Sequence, residues 1–483
     1  MKSISLLIVT YLIFSIPLFA QAPDTLWTKT FGGSSWDEGY YVQQTTDGGF
    51  IFLGTTQSFG PIDIWLIRTN SSGDTLWTRT YGGFDSEYGR CVKQTQDGGY
   101  IIAGYTMSYG AGNFDYWLIK TDNLGDTVWT KTFGGSDTEI GYFVLQTPDM
   151  GYTSLAVTKS FGAGDRDCWL IRTDASGNTI WTNAIGGTAF DQCYSMDMTS
   201  DSGYIITGET SSFGTSGPDV WLIKTNSTGD TLWTKTFGGT STDIGHGVEQ
   251  TTDGGYIIAG YTASYGVGTD VWLIKTNSTG DTLWTKTIGG VFSDYGFSIQ
   301  QTTDGGYIIT GRTDSFGAGG ADIWLIKTDS TGEVSWTETY GGSNPDIGLD
   351  VQQTLDGGYI IAGRTESFGA GNVDAWLIRT DSEPSGIKQD LLSLLPNNYS
   401  LKQNYPNPFN PITTIKYQLP EFSFITLKVY DVLGNEVVTL VSEEKQTGTY
   451  EITWYAESLP SGVYFYQLKA GFFVETKKMV LMK

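Results

Sequence analysis

This chain has little histidine, little cysteine and few cations: one His, three Cys, and 28 Lys and Arg against 52 Asp and Glu in 483 residues. The single histidine, His246, has no imidazole partner, and no Gly-x-Ser-x-Gly elbow accompanies it, so His-dependent hydrolase mechanisms lose their support. A lone histidine at a strand entry is read as structural or solvated before it is read as a base. Cys91, Cys168 and Cys193 occupy different points of a repeated pattern and form no Cys-x-x-Cys or Cys/His spacing. A zinc site and a regular disulfide framework are therefore not expected; one pairing stays open, and the plain reading is of small, buried apolar side chains. The net charge of −24, carried by the region before residue 384, repels phosphate backbones and argues against nucleic acid as a partner. Beyond the first twenty residues no apolar run approaches the ~18 residues of a membrane-spanning helix.

That first stretch is itself apolar from Ile4 to Phe19, follows Lys2 and ends at Ala20. It reads as a secretory signal peptide, residues 1–22, with cleavage after Ala20 or Ala22; no nearby cysteine marks a lipoprotein.

Glycine (64) and tryptophan (16) are plentiful and periodic. Seven copies of a unit of about fifty residues run from Asp24 to Asp381. One indole recurs at Trp27, Trp77, Trp129, Trp181, Trp233, Trp284 and Trp336, and a second at Trp65, Trp117, Trp169, Trp221, Trp272, Trp324 and Trp376. In the copy from Asp243 to Thr287, strands are expected at Val248 to Thr251, Tyr256 to Thr262, Val271 to Thr276 and Thr282 to Thr287, with turns at Asp253-Gly254-Gly255 and Asn277 to Asp281. Tyr256-Ile257-Ile258-Ala259 is apolar without alternation, as in a strand covered on both faces. The array starts in a fourth strand (Trp27) and stops in a third (Trp376). Pairing Asp24 to Phe31 beside Ala375 to Thr380 would complete the last unit and leave no open edge. An all-β chain is expected: a seven-bladed β-propeller over residues 23–381, closed by its N-terminal strand, then a linker (382–398) and a small Ig-like β-sandwich (399–483).

Phe-Gly-Gly, Asp-Gly-Gly-Tyr-Ile-Ile and Asp-x-Trp-Leu-Ile-Lys-Thr, as they stand in these copies, resemble the bacterial propeller repeats abbreviated SBBP. Thr225 to Trp233, with Gly229 and Trp233, is similar to the tryptophan docking motif of pyrroloquinoline-quinone propellers. Those usually have eight blades and often a vicinal cysteine pair; this chain has neither, and no cofactor is expected. After Asn404-Tyr405-Pro406-Asn407-Pro408-Phe409-Asn410-Pro411, strands are expected at Thr413 to Leu419, Phe424 to Tyr430, Glu436 to Val441, Tyr450 to Trp454, Val463 to Ala470 and Phe473 to Leu481. Val429-Tyr430-Asp431 with Gly434, Gly448-Thr449-Tyr450 with Trp454, Ser461-Gly462-Val463-Tyr464, and Lys478-Met479 with Lys483 resemble the type A C-terminal sorting domain of the type IX secretion system. The resemblance implies export across the outer membrane of a Gram-negative bacterium, with the secretion machinery as partner.

Each unit sets one acid before its third strand (Asp63, Asp115, Asp167, Asp219, Asp270, Asp322, Asp374) and another before its first (Asp37, Glu87, Glu139, Asp191, Asp243, Asp294, Asp346). Both sets are expected at one face. Carboxylate pairs could bind calcium or act in acid-base chemistry, but a residue repeated in every copy more often fixes a turn, and no metal or catalytic residue is assigned. Ligand contacts are sought where copies differ. After the second-strand glycine, replaced by Ala156 in the third full unit, stand Thr55, Tyr105, Val157, Glu209, Tyr261, Arg312 and Arg364, and the loops before the first strand add Trp36, Phe84, Phe190 and Phe292. Of these, Trp36, Phe84, Tyr105, Phe190, Glu209, Tyr261, Phe292, Arg312 and Arg364 are the candidate contacts for a carbohydrate or a surface protein. A noncatalytic binding or scaffolding module is the favoured reading; a carboxylate-based, polysaccharide-active enzyme is the alternative.

Overall fold

The computed structural model describes residues 21–383, 398–420, 423–445, 448–471 and 473–483. Most of the signal-peptide and linker expectations therefore lies outside the described residues. Contacts divide the chain into two units, Met1–Glu383 and Pro384–Lys483.

In the first unit the repeat becomes seven four-stranded antiparallel sheets. Sheet 1 runs Asp37–Gln44, Phe50–Thr56, Asp63–Thr69 and Thr75–Tyr81, and sheets 2 to 6 repeat this order. Sheet 7 takes Asp346–Gln353, Tyr359–Thr365 and Asp374–Thr380, and its fourth strand is the first of the chain, Thr25–Phe31. Thr30 pairs with Trp376 and Phe31 with Ala375. The inner strand of each sheet lies beside those of its two neighbours, and that of sheet 7 lies beside that of sheet 1.

The second strands are buried on both faces, as Tyr256–Thr262 illustrates, because the next sheet covers the side its own hairpin leaves bare. The inner strand begins earlier than the sequence reading placed it, at Asp243 rather than Val248. A β-bulge after its third residue, between Gly245 and Gly247, breaks the alternation that would have marked it.

Cations of the third strands are used by the fold. Arg68, Lys120, Arg172, Lys224, Lys275, Lys327 and Arg379 each hold the Asp of the hairpin turn between strands one and two in their own sheet. The turn glycine between strands three and four has a positive φ, +80° at Gly229, and sits flat on the outer-strand indole of the preceding sheet, Trp181. A Cβ there would lie 2.5 Å from that ring. The docking-like motif is thus accounted for as sheet-to-sheet packing.

Cys168 and Cys193 form a disulfide between sheets 3 and 4, their Cα atoms 5.5 Å apart, whereas Cys91 is free and buried. This corrects the expectation of three small apolar side chains. Cys193 stands where every other inner strand has glycine (Gly39, Gly89, Gly141, Gly245, Gly296, Gly348). A Cβ at those glycines points at the preceding sheet, for example to within 2.9 Å of Val220 Cγ1 from Gly245. Cys168 occupies Val220's place in sheet 3, so the one side chain on that inner-strand position meets its bonding partner.

In the second unit Ser400–Leu401, Ile412–Leu419 and Gly448–Tyr455 form one sheet. Glu436–Lys445, Ser423–Tyr430, Gly462–Ala470 and Phe473–Leu481 form another. Ile415, Tyr417, Leu427, Trp454, Tyr466 and Met479 close one core between them. The Asn-Tyr-Pro-Asn-Pro segment is a lock: Asn404 Nδ2 donates to Thr413 Oγ1 (2.9 Å), and Asn407 Oδ1 accepts the Val480 N–H (2.8 Å).

Candidate functional site

The bulge in each inner strand leaves its fourth residue out of the ladder, and the seven such residues are Tyr40, Arg90, Tyr142, Tyr194, His246, Phe297 and Leu349. All seven line a cavity of about 470 Å³ bounded by the inner strands. Six of them form a continuous belt. The Arg90 guanidinium lies 4.2 Å from the Tyr40 ring and 6.0 Å from that of Tyr142. Tyr142 meets Tyr194 at 5.4 Å, Tyr194 meets His246 at 4.6 Å, and His246 meets Phe297 at 5.2 Å. Leu349 interrupts the circle. Burial lowers the His246 pKa to about 4, so the imidazole is neutral near pH 7 and acts as a flat wall.

Five of the nine candidate contacts stand around the belt. Tyr105 stacks on Tyr88 at 4.9 Å, and its hydroxyl accepts a bond from Arg90 Nη2 (2.9 Å). Glu209 accepts the Tyr194 hydroxyl proton at 2.6 Å, and burial raises its pKa. Tyr261 lies 5.6 Å from His246 and 4.8 Å from Tyr295. Arg312 is paired with Asp314 and lies 5.5 Å from the Tyr295 ring. Arg364 is paired with Glu38 at 2.9 Å, and the second Glu38 oxygen accepts from Tyr40 at 2.7 Å. The four loop aromatics are not brought into the cavity. Phe84 and Phe292 project into solvent, while Trp36 and Phe190 are half-buried at junctions, in backbone bridges to Val373 and Arg166.

Of the seventh inner-strand residues, all but Gln43 line the same cavity. Their side-chain oxygens accept the N–H of the last inner-strand residue of the next sheet: Gln43 from Gln94, Asp197 from Gln250, Glu249 from Gln301, Gln300 from Gln353 and Gln352 from Gln44. The last of these joins sheet 7 to sheet 1. Lys93 replaces the acceptor in sheet 2, bonds the Tyr41 hydroxyl, and lies 5.1 Å from the Phe143 ring. Burial, with Asp197 adding to it, pushes the Glu249 pKa up to about 7, and burial pushes Asp350 up to about 6. These carboxylates resemble general acids in their protonation, yet one oxygen of each is spent on a neighbouring backbone, Asp350 Oδ2 on Val42 N at 3.1 Å.

The two repeated acid sets lie beneath the face rather than on it, which corrects their expected exposure. Asp243 accepts from the Thr262 hydroxyl, Gly239 N (2.8 Å) and Ser264 Oγ (2.6 Å), and Asp167 Oδ2 accepts Ala163 N (2.9 Å) and Gly164 N (3.2 Å). They pin turns. Among the described residues no group of three or more His, Cys, Asp or Glu could hold a metal ion.

Sequence reasoning missed the belt apart from naming His246, because it placed these residues in a loop. A signal was present: the fourth residue of the inner strand varies from Arg to Leu to Tyr in a repeat that is otherwise nearly uniform.

Residues 403–482 match the family described as the secretion system C-terminal sorting domain. The tail is a sorting domain of that family. The protein is accordingly secreted or displayed at the outer-membrane surface of a Gram-negative bacterium of the Bacteroidetes type. Ahead of the sorting domain, the repeated four-stranded sheets make it an exported propeller protein. No helix among the described residues is long and apolar enough to cross a membrane. The regulatory protein FlaEY of Caulobacter vibrioides is 23% identical over 223 residues, 41% of this chain and 22% of that protein, so the chain spans less than a quarter of that relative. Among solved structures, PorZ of Porphyromonas gingivalis, a surface component of the type IX secretion system, is similar over 94% of this chain and 60% of its own (11% identity, TM-score 0.43). YCF48 bound to the D1 peptide is similar over 77% of this chain and 100% of its own (11% identity, TM-score 0.43).

Proposed function

We propose that the seven sheets are the blades of a closed propeller, residues 23–381, and that the sorting domain, 399–483, is an Ig-like sandwich joined by a linker at 382–398. Support for closure comes from the Thr25–Phe31 strand in sheet 7 and from two side-chain bonds across the same junction, Gln352 to Gln44 N (3.0 Å) and Gln44 to Leu355 N (2.9 Å). A signal peptide over residues 1–22 completes the export route.

The ring is an exported binding module whose ligand, a carbohydrate, enters the central cavity. The observation carrying this reading is the belt: six consecutive sheets set an aromatic or guanidinium side chain at one level around about 470 Å³, within the range of small-molecule sites. Flat rings bordered by hydroxyls suit the apolar faces and hydroxyl edges of sugars. Tyr105, Glu209, Tyr261, Arg312 and Arg364 shape its mouth, and the exposed Phe84 and Phe292 offer peripheral contacts. A glycan array on the purified protein, repeated with Tyr142→Ala and Phe297→Ala, tests this. Saturable binding that both variants weaken is expected, and binding indifferent to both would remove the cavity from the reading.

One observation favours the enzymatic alternative: the raised Glu249 and Asp350 carboxyls in the same cavity. Polysaccharide cleavage abolished by Glu249→Gln would make the protein an enzyme, whereas binding without turnover is the outcome expected here.

A further inference from the structure

We propose that the mouth of the cavity recognises the anionic group of an acidic sugar, a carboxylate or a sulfate ester, through Arg90 and Arg166. The inference rests on the reading of the cavity as the binding site. The chain has eight arginines, and six of them are in salt bridges: Arg68, Arg79, Arg172, Arg312, Arg364 and Arg379. Arg90 and Arg166 have no such partner among the described residues, in a protein with 52 acids for 28 bases. Arg90 lines the cavity, and Arg166, outside that lining, is linked to it through two side chains. Arg166 Nη1 donates to Gln192 Oε1 (2.8 Å), and Gln192 Nε2 donates to the Tyr142 hydroxyl (2.7 Å). The ring of Tyr142 in turn lies 6.0 Å from the Arg90 guanidinium.

Two carboxylates whose charge reaches them are already engaged. Glu38 holds Arg364 and Tyr40, and Glu209 holds the Tyr194 hydroxyl. Arg90 has one side-chain hydrogen bond, to Tyr105, and its Nε is buried without a partner. Aromatic faces flank the cation and leave its remaining N–H edge as the polar feature of that wall. A guanidinium so placed suits a planar or tetrahedral oxyanion, which it can hold by two parallel bonds. The rest of the belt offers ring faces and the hydroxyls of Tyr142 and Tyr194, which suit the body of a sugar better than a peptide backbone. The surrounding acidity opposes a long polyanion, so a short chain or a chain end is the form that enters.

Isothermal titration of the full exported chain with tetragalacturonate, a sulfated galactose tetrasaccharide and neutral cellotetraose tests the proposal. At least one acidic probe should bind, cellotetraose at least tenfold more weakly, and the stronger acidic arm identifies carboxylate or sulfate. Arg166→Gln, at a half-exposed site, should weaken the acidic probe roughly 10- to 100-fold, the loss of a charge-assisted bond. Arg90→Gln should do the same, and Arg79→Gln, a perimeter residue paired with Asp126, should leave affinity unaltered. Neutral and acidic probes binding equally, with Tyr142→Ala weakening both, would overturn the anion inference and keep the cavity. No sugar binding at all, or an acidic peptide binding in the sugar's place, would overturn it too, and the former would also end the carbohydrate reading.

Discussion

Removing the Cys168–Cys193 disulfide should destabilise the ring by an amount that a second, remote-looking pair of substitutions can partly restore. At most junctions two side-chain-to-backbone bonds tie adjacent sheets. One is made by the seventh inner-strand residue; the other runs from the last inner-strand glutamine back to the turn of the preceding sheet. Gln94, Gln146, Gln250, Gln301, Gln353 and Gln44 accept from Thr46, Gln96, Ser200, Thr252, Thr303 and Leu355 in this second way, at 2.7–3.0 Å. Between sheets 3 and 4 both bonds are missing. Leu145 offers no acceptor, Pro148 has no N–H, and the glutamine that would have met it is Met198. The disulfide joins this same pair of sheets. Its Cys are 25 residues apart, and closing such a loop in the unfolded chain is worth about 3.5 kcal/mol in the chain-entropy model. For a ring of roughly 360 residues the unfolding entropy is about 0.76 kcal/mol/K, so Cys168→Val with Cys193→Gly should lower Tm by roughly 5 °C. Adding Pro148→Thr and Met198→Gln to that variant recreates one bond, and should recover about 0.5–1.5 kcal/mol, or one to two degrees. Each alone should recover little, since a donor without its acceptor gains nothing. Differential scanning calorimetry reads the parent and the four variants. An unchanged melt on losing the disulfide, or full recovery from either single substitution, would refute the account.

Glu249→Gln should flatten the pH dependence of stability. An acid whose pKa rises from 4.5 to about 7 on folding makes the folded state hold the extra proton, so stability falls as pH rises from about 4.5 to 7 and then levels. The glutamine, which already serves at positions 43, 300 and 352, should melt higher than the parent at pH 8 and not at pH 4; equal melts at both would contradict the assignment. Within one inner strand, Val351→Ala should cost about 2–3 kcal/mol because its side chain is packed between sheets, whereas Leu349→Phe, two residues earlier and facing the cavity, should hold Tm within about 1 °C. Chemical denaturation separates the two, and equal losses would deny the division between axis-facing and packed positions. Deleting Thr25–Phe31 should lower the melt of the entire ring in one transition, and a variant that melts as the parent does would show that sheet 7 manages without it. Without residues 399–483 the protein should accumulate in the periplasm, as fractionation would reveal; normal surface delivery would count against the sorting assignment.

Much of the architecture was legible because most of the repeat's residues do one job seven times. Tryptophans that pack on turn glycines, aspartates that pin turns and cations that hold the hairpins leave a period no drift has blurred. The staggered ends, a fourth strand first and a third strand last, pointed to the Thr25–Phe31 pairing for the same reason. The cavity was harder to see. Its side chains sit on the strand whose pattern is interrupted by a bulge and whose exposed positions differ from copy to copy, so neither alternation nor repetition marks them. Variation after the second-strand glycine led to Tyr105, Glu209 and Tyr261, which touch the belt, and to Arg312 and Arg364, which reach it through Tyr295 and Glu38. The loop aromatics were a weaker guide: Trp36 and Phe190 close junctions, and only Phe84 and Phe292 stay free. The disulfide left a readable trace as well, a cysteine at the single inner-strand site where the other six copies have glycine.

The inner strand combines two roles at one-residue resolution. Its sixth residue, Val42 or Val351, is buried between sheets, its eighth ties the ring together, and its fourth, released by the bulge, faces the axis. Because the bulge removes the fourth residue from the ladder, a change there costs no backbone pairing and little packing. Seven side chains around the cavity can therefore diverge while the sheets that hold them stay alike. Divergence at this level is concentrated in charge and aromaticity, from Arg90 through three tyrosines to His246, Phe297 and Leu349, rather than spread evenly. An unused pore would be expected to collect small or simply polar residues; six large, mutually packed rings and cations instead maintain a shaped wall around open volume. That wall, with Arg90 in it and Arg166 linked to it, both outside any salt bridge among the described residues, is what makes a ligand in the channel a stronger reading than a purely structural ring.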